Sequence, residues 1–160
     1  MIFSIWHASF TVADLDRSIV FYRDELGLDL VHTQEQANEY TRKFVGYPDA
    51  HLKVAQFAAP GAEPPRAGHL SGHLIELVQY VTPKGEPVHP ERYQPGAAHL
   101  AFQVEDTREM YERLSANGVH FISEPVAITA GINAGGATVY LEDPDGNTLE
   151  FVTAPPRRDG

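Results

Sequence analysis

The chain has 160 residues, 42% apolar and 21% charged, which supports a hydrophobic core and excludes a disordered polymer. A formal net charge of -10 argues against nucleic acid or anionic membranes as partners, since both are bound through Lys and Arg. There is no cysteine, so disulfides, thiolate metal sites and cysteine nucleophiles are excluded, and any metal must be held by His and carboxylates.

Alternation over residues 2–12 predicts a half-buried strand. Asp14 reads as a helix N-cap, Leu15, Ile19, Tyr22 and Leu26 follow at helical spacing, and Gly27 is the stop. Strands are expected at 28–33, 51–58 and 72–81. Residues 34–50 and the Pro/Gly-rich 60–68 read as loops that cover a site. The second half follows the same plan. A strand is expected at 97–104, then Asp106 as cap and a helix through Met110 and Leu114 to Gly118. Strands at 119–122, 135–142 and 147–153 follow, the last two joined through the hairpin signal Asp145-Gly146. The fold class is therefore α+β, two β-α-β-β-β modules at 1–95 and 96–153 in one structural domain, with a flexible tail at 154–160. No basic-then-apolar leader and no run of ~18 apolar residues occurs, so a cytoplasmic protein without a membrane partner is expected.

The two halves also repeat chemically. His7-Ala-Ser-Phe-Thr-Val-Ala-Asp14 matches His99-Leu-Ala-Phe-Gln-Val-Glu-Asp106, 92 residues on. Gly72-His-Leu-Ile-Glu76-Leu-Val matches Gly146-Asn-Thr-Leu-Glu150-Phe-Val, 74 residues on. Strand alternation puts Trp6, Ala8, Phe10 and Val12 on one face and His7, Ser9 and Thr11 on the other. In the second copy Leu100, Phe102 and Val104 face the helix while His99 faces away. Glu76 lies between Leu74 and Val78, and Glu150 between Thr148 and Val152. A carboxylate among such hydrophobes shifts its pKa or finds a cation. Two imidazoles and two carboxylates form an N2O2 set suited to one divalent ion, Zn, Ni, Co, Mn or Fe(II), whose charge the carboxylates balance. The expected metal ligands are thus His7, Glu76, His99 and Glu150. A lone strand His or Glu is more often solvated or packed; the doubled pattern is what favours ligation. His32, His51, His69, His89 and His120 read as surface residues, His73 as structural, and Asp143 and Asp145 as turn residues. Phe44, Tyr47 and Tyr80 read equally as pocket lining or as packing.

These residues resemble the vicinal oxygen chelate superfamily, which includes glyoxalase I, methylmalonyl-CoA epimerase, extradiol dioxygenases, fosfomycin-resistance enzymes and bleomycin-resistance proteins. Its carriers, over residues 3–153, are the segment from His7 through Leu15-Asp-Arg-Ser-Ile-Val-Phe-Tyr22, Leu26-Gly-Leu28, His73-Leu-Ile-Glu76-Leu, His99-Leu-Ala-Phe and Asp143-Pro-Asp-Gly-Asn-Thr-Leu-Glu150-Phe. The resemblance implies two modules forming a cupped mixed sheet around a metal site, a small-molecule substrate and a homodimer. It implies that the metal chelates adjacent substrate oxygens and stabilises an enolate-like intermediate, while a carboxylate moves the proton. Glu150 is the expected base and Glu76 the second candidate.

Departures within the resemblance narrow the reaction. Extradiol dioxygenases and fosfomycin-resistance enzymes use two His and one Glu, which His7, His99 and Glu150 match, and lack a carboxylate at Glu76. Glyoxalase I has four ligands, but its glutathione contacts, an Arg at the place of Thr11 and an Asn at that of Tyr80, are missing. Methylmalonyl-CoA epimerase has Gln at the place of Glu76 and a catalytic Glu on the preceding strand; residues 52–59 contain no carboxylate, and Gln56 is the nearest polar candidate there. The leading expectation is a metal-dependent lyase, isomerase or epimerase of the glyoxalase type. The alternatives are a non-haem Fe(II) extradiol-type dioxygenase and a small-molecule binding or resistance protein of the same fold.

Overall fold

Each half of the chain begins with a strand that an aspartate turns into a helix. β1 (His7–Thr11) ends before Asp14, whose side chain accepts the Arg17 N–H at 3.1 Å and so starts α1 (Leu15–Val20). The helix continues through Phe21–Glu25 as a π-turn in which the Leu26 N–H reaches the Phe21 carbonyl. Gly27, at φ +78°, then stops it in a conformation that disfavours other residues. In the second half β5 (His99–Gln103) leads to Asp106, which accepts from the N–H groups of Arg108 and Glu109 and starts α3 (Thr107–Ala116). Gly118, at φ +87°, follows that helix. Both expected cap-and-stop pairs are present.

The remaining strands are β2 (Asp29–Gln36), β3 (His51–Ala58) and β4 (Leu74–Thr82) in the first half, then β6 (Val126–Ala127), β7 (Ala137–Glu142) and β8 (Thr148–Thr153). The computed structural model describes residues 1–2, 5–62 and 74–155 and falls into two compact units, Met1–Val88 and His89–Gly160. The first unit holds a four-stranded mixed sheet in the order β1-β4-β3-β2, the second one in the order β5-β8-β7-β6. In each, the first strand runs parallel to the last and the other neighbours are antiparallel. The protein is thus α+β, with two β-α-β-β-β modules.

One face of each sheet packs on its helix. In the first unit Tyr22, fully buried, meets Phe57 with ring centroids 5.7 Å apart, and Ile75, Leu77 and Phe57 are buried on that face. The Gln79 amide ties the helix start to β4, accepting the Leu15 N–H and donating to the Ala13 carbonyl. In the second unit Tyr111 of α3 meets Phe121, which meets Phe151, beside buried Val139, Leu141 and Leu149. Burial of such side chains, about 1.5–3 kcal/mol each, is the main driving force for both units.

Four expectations need correction. Residues 34–50 are not a loop: β2 runs on to Gln36, and α2 (Glu39–Val45) follows. Asn38 caps it by accepting the Thr41 N–H at 2.9 Å, the buried Thr41 hydroxyl donates within the Gln36/Asn38 pair, and Gly46 at φ +79° ends it. Residues 119–122 are not a regular strand. Ile122 N–H donates to Tyr140 and His120 accepts from Glu142, so the segment runs beside β7. Ser123-Glu124-Pro125 then breaks the ladder, Pro125 having no N–H to give, and pairing resumes only at β6. Trp6 lies ahead of β1 and is exposed rather than packed on the helix. His51 is half-buried at the start of β3, 2.6 Å from Glu35, and not a free surface residue. His32, His89 and His120 are exposed as expected. His69 and His73, most of the 60–68 loop and residues 156–160 of the tail lie outside the described residues.

The turn between β7 and β8 is built by one side chain. Asp143, buried, accepts the N–H groups of Asp145 and Asn147 through Oδ1 and the Asn147 amide through Oδ2. Gly146 at φ +79° closes the turn, with its N–H on the Asp143 carbonyl and the His89 ring against its open side. Asp143 and Asp145 are turn residues, as their spacing indicates.

Candidate functional site

The faces turned away from the helices carry the polar chemistry. In the first sheet Ser9 is in register with Glu76 and Glu76 with Gln56, so His7, Glu76 and Gln56 share the face opposite Phe57 and Ile75. In the second sheet Ala101 is in register with Glu150 and Glu150 with Tyr140, so His99, Glu150, Tyr140 and Thr138 share the face opposite Phe151. The two arrangements correspond position by position: His7 with His99, Glu76 with Glu150, Gln56 with Tyr140.

Each histidine reaches its own glutamate. His7 Nε2 is 3.7 Å from Glu76 Oε1, and His99 Nε2 is 3.2 Å from Glu150 Oε2. The glutamates are the more enclosed partners, at 18% and 16% side-chain exposure against 33% and 48% for the histidines. The other oxygen of each glutamate is held by a neutral donor. Gln56 donates its amide to Glu76 Oε2 at 2.8 Å, and the Thr138 hydroxyl lies 2.5 Å from Glu150 Oε1 and 3.1 Å from the Phe151 carbonyl. Each carboxylate is therefore fixed through one oxygen and presents the other to an imidazole. Within each unit the predicted ligands come as a pair; among the described residues no group of three or more His, Asp or Glu is gathered to hold a metal.

The pairs suit a divalent cation. Bonds of ~2.1 Å at tetrahedral to octahedral angles separate neighbouring donors by roughly 3.0–3.4 Å, and the two observed separations lie at or just beyond that range. His7 Nδ1 is buried with no hydrogen-bond partner among the described residues. Neutral donors on the glutamates leave their negative charge available to a metal, as the outer partners of metal carboxylates do.

Two further side chains flank the second pair. The Tyr140 ring meets His99 edge to face, with centroids 5.3 Å apart. Burial, and then the negative charge of Glu150, hold the Tyr140 phenol above its ordinary pKa, with Arg92 acting the other way. Arg92 lies 3.8 Å from Glu142, whose second oxygen is 2.9 Å from His120 Nδ1. In the first unit the inserted α2 segment meets the ligand-bearing face, where Tyr47 packs edge-on against Tyr80 at 6.1 Å. Phe44 instead stacks on Tyr40, and both are exposed. Tyr140 and Thr138 were absent from the sequence-based site. The signal for them was present: pairing outward from the turn after Glu142 sets Tyr140 against Glu150 and Thr138 against Val152.

A duplicated β-α-β-β-β fold with a His–Glu pair on the open face of each sheet defines a glyoxalase-type protein. The sequence comparisons agree: residues 4–151 match the Glyoxalase/Bleomycin resistance protein/Dioxygenase superfamily, and the chain belongs to it. It is 31% identical over 156 residues to a 2-epi-5-epi-valiolone epimerase of an Actinomyces species, covering 95% of this chain and 80% of that one. It is 33% identical over 153 residues to the lactoylglutathione lyase of Haemophilus influenzae, covering 92% and 90%. Among solved structures, a glyoxalase family protein from Bacillus cereus superposes with a TM-score of 0.78 at 22% identity, covering 97% and 96%, which shows the shared fold. No helix among the described residues is long and apolar enough to cross a membrane.

Proposed function

We propose that the protein is a divalent-metal-dependent lyase, isomerase or epimerase acting beside the carbonyl of a small substrate with two vicinal oxygens. The observation that carries this reading is the pair repeated at corresponding positions of the two sheets, His7 with Glu76 and His99 with Glu150, each glutamate anchored through one oxygen. All four residues would hold the ion. When bound, the ion supplies Lewis-acid polarisation of two adjacent substrate oxygens.

The chain's own residues supply the proton chemistry. Glu150 is the base that takes the proton beside the carbonyl and returns it. Its anchor is a hydroxyl, which can donate to an ionised carboxylate or accept from a protonated one. Glu76 is anchored by the Gln56 amide, whose N–H donates to Oε2 at 2.8 Å. Glu76 and Glu150 are largely enclosed, at 18% and 16% side-chain exposure. Relatives named as a lyase and as an epimerase support this class of reaction.

Metal analysis of the purified protein should find one divalent ion per chain. The metal-loaded protein should then exchange the α-proton of a hydroxyketone or ketoacid for deuterium, followed by NMR. Failure to exchange across both substrate classes in a metal-loaded sample would sink the reading. We take the working form to be a homodimer, as the family resemblance implies. Light scattering should return twice the mass of the chain, and a monomer at micromolar concentration would refute this.

A further inference from the structure

The two half-sites differ at one matched position. Opposite Glu76 stands Gln56, whose amide is engaged by that carboxylate at 2.8 Å. Opposite Glu150 stands Tyr140, but there the carboxylate is held by Thr138 instead. The Tyr140 hydroxyl has no hydrogen-bond partner among the described residues. Its ring is fixed on edge against His99, so the side chain is placed by packing and its polar end is left unused. An uncharged donor held in this way beside a ligand pair is suited to a substrate oxygen, since a phenol orients a partner at little entropic cost.

We propose that Tyr140 is a substrate-binding residue that donates a hydrogen bond to an oxygen of the substrate other than the vicinal pair. The substrate class that follows is a hydroxyketone carrying at least one further hydroxyl. The inference rests on the function proposed above, because it presumes that the vicinal pair is held at the His/Glu site. It adds a specificity: a hydroxyketone with only two oxygens leaves the phenol unmatched, and a third oxygen gains a bond. Arg92, whose charge acts on the Tyr140 phenol, adds positive potential near it.

The test compares two four-carbon ligands by calorimetry on metal-loaded protein: acetoin, which has the vicinal pair alone, and erythrulose, which has two more hydroxyls. The native protein should prefer erythrulose. Tyr140→Phe should weaken erythrulose by about five- to tenfold, the scale of one neutral hydrogen bond, and leave acetoin and the affinity for Mn2+ alone unchanged. Tyr140→Met, a second side chain without a hydroxyl, should show the same selective loss, and melting curves check that both variants are folded. Equal affinities in native and variant proteins would overturn the assignment, as would a parallel loss of Mn2+ affinity, which would make Tyr140 a support for His99. If neither ketone binds the metal-loaded native protein while Mn2+ does, the hydroxyketone assignment is overturned, and the proposed function is then decided by proton exchange with ketoacids.

Discussion

Glu150→Gln is expected to slow proton exchange on an accepted substrate by roughly a thousandfold, within the 10²–10⁴ range for loss of a general base. The amide has the size of the carboxylate and can still meet the Thr138 hydroxyl, 2.5 Å from Oε1 in the native protein. Unfolding is therefore not the expected cause. Glu76→Gln should cost less in exchange, roughly ten- to a hundredfold, and act mainly through metal affinity. The contrast follows from the anchors. A proton on Glu150 can be shared with a hydroxyl that reverses its role, whereas Gln56 presents its N–H to Glu76 and would have to turn its amide over to accept a proton from it. Exchange rates at saturating metal, measured beside the metal affinity of each variant, separate the two effects. Equal exchange losses at saturating metal, or a larger one for Glu76→Gln, would remove Glu150 from the role of base.

Much of this arrangement is legible in the sequence because its signals are local. Asp14 with Gly27, and Asp106 with Gly118, bracket their helices through backbone chemistry that needs no distant partner. Strand alternation puts His7 and His99 on the face away from the helix, since every second residue must face the apolar layer. The α2 helix is harder to see. Its buried member is Thr41, and its large side chains Tyr40 and Phe44 stay exposed, so it has no apolar stripe to read. Its stability is local, through the Asn38 cap, Gly46 and the Glu39–Lys43 pair at 2.7 Å. The anchors split along the same line. Thr138 and Tyr140 belong to a hairpin with a short turn, so counting outward from that turn finds them. Gln56 meets Glu76 across a connection running from residue 59 to 73, whose length fixes no register. The sequence singled out Gln56 as the nearest polar residue on its strand, but its hydrogen bond to Glu76 requires the folded sheet.

Gly136→Ala is expected to be the most damaging single-methyl change in the second sheet, lowering the melting temperature by about 2–12 °C. The position does not need glycine for its backbone angle, in contrast to Gly135 beside it at φ +95°. It needs glycine for space. A Cβ there would land well inside contact distance of the Thr153 carbonyl oxygen, with the Asn133 carbonyl oxygen at 3.2 Å on another side. Both obstacles are backbone, and neither can rotate away. Forcing the extra atom in costs about 1–3 kcal/mol, and a chain of this size melts roughly 2–4 °C lower per kcal/mol. Gly136 also holds the start of β7 through its N–H to Asn133 and its carbonyl to the Ile128 N–H. Relief by sliding would shift β7 against β8, and with it the pairing of Tyr140 to Glu150. The variant should therefore lose metal affinity along with thermal stability, even though residue 136 touches no proposed ligand. Gly27→Ala is the control. It meets open space and carries only the strain of its φ of +78°, about 1–2 kcal/mol, so metal affinity should be preserved. A Gly136→Ala protein that melts within two degrees of the native one and binds metal normally would show that the end of β8 yields to the methyl group without disturbing the sheet.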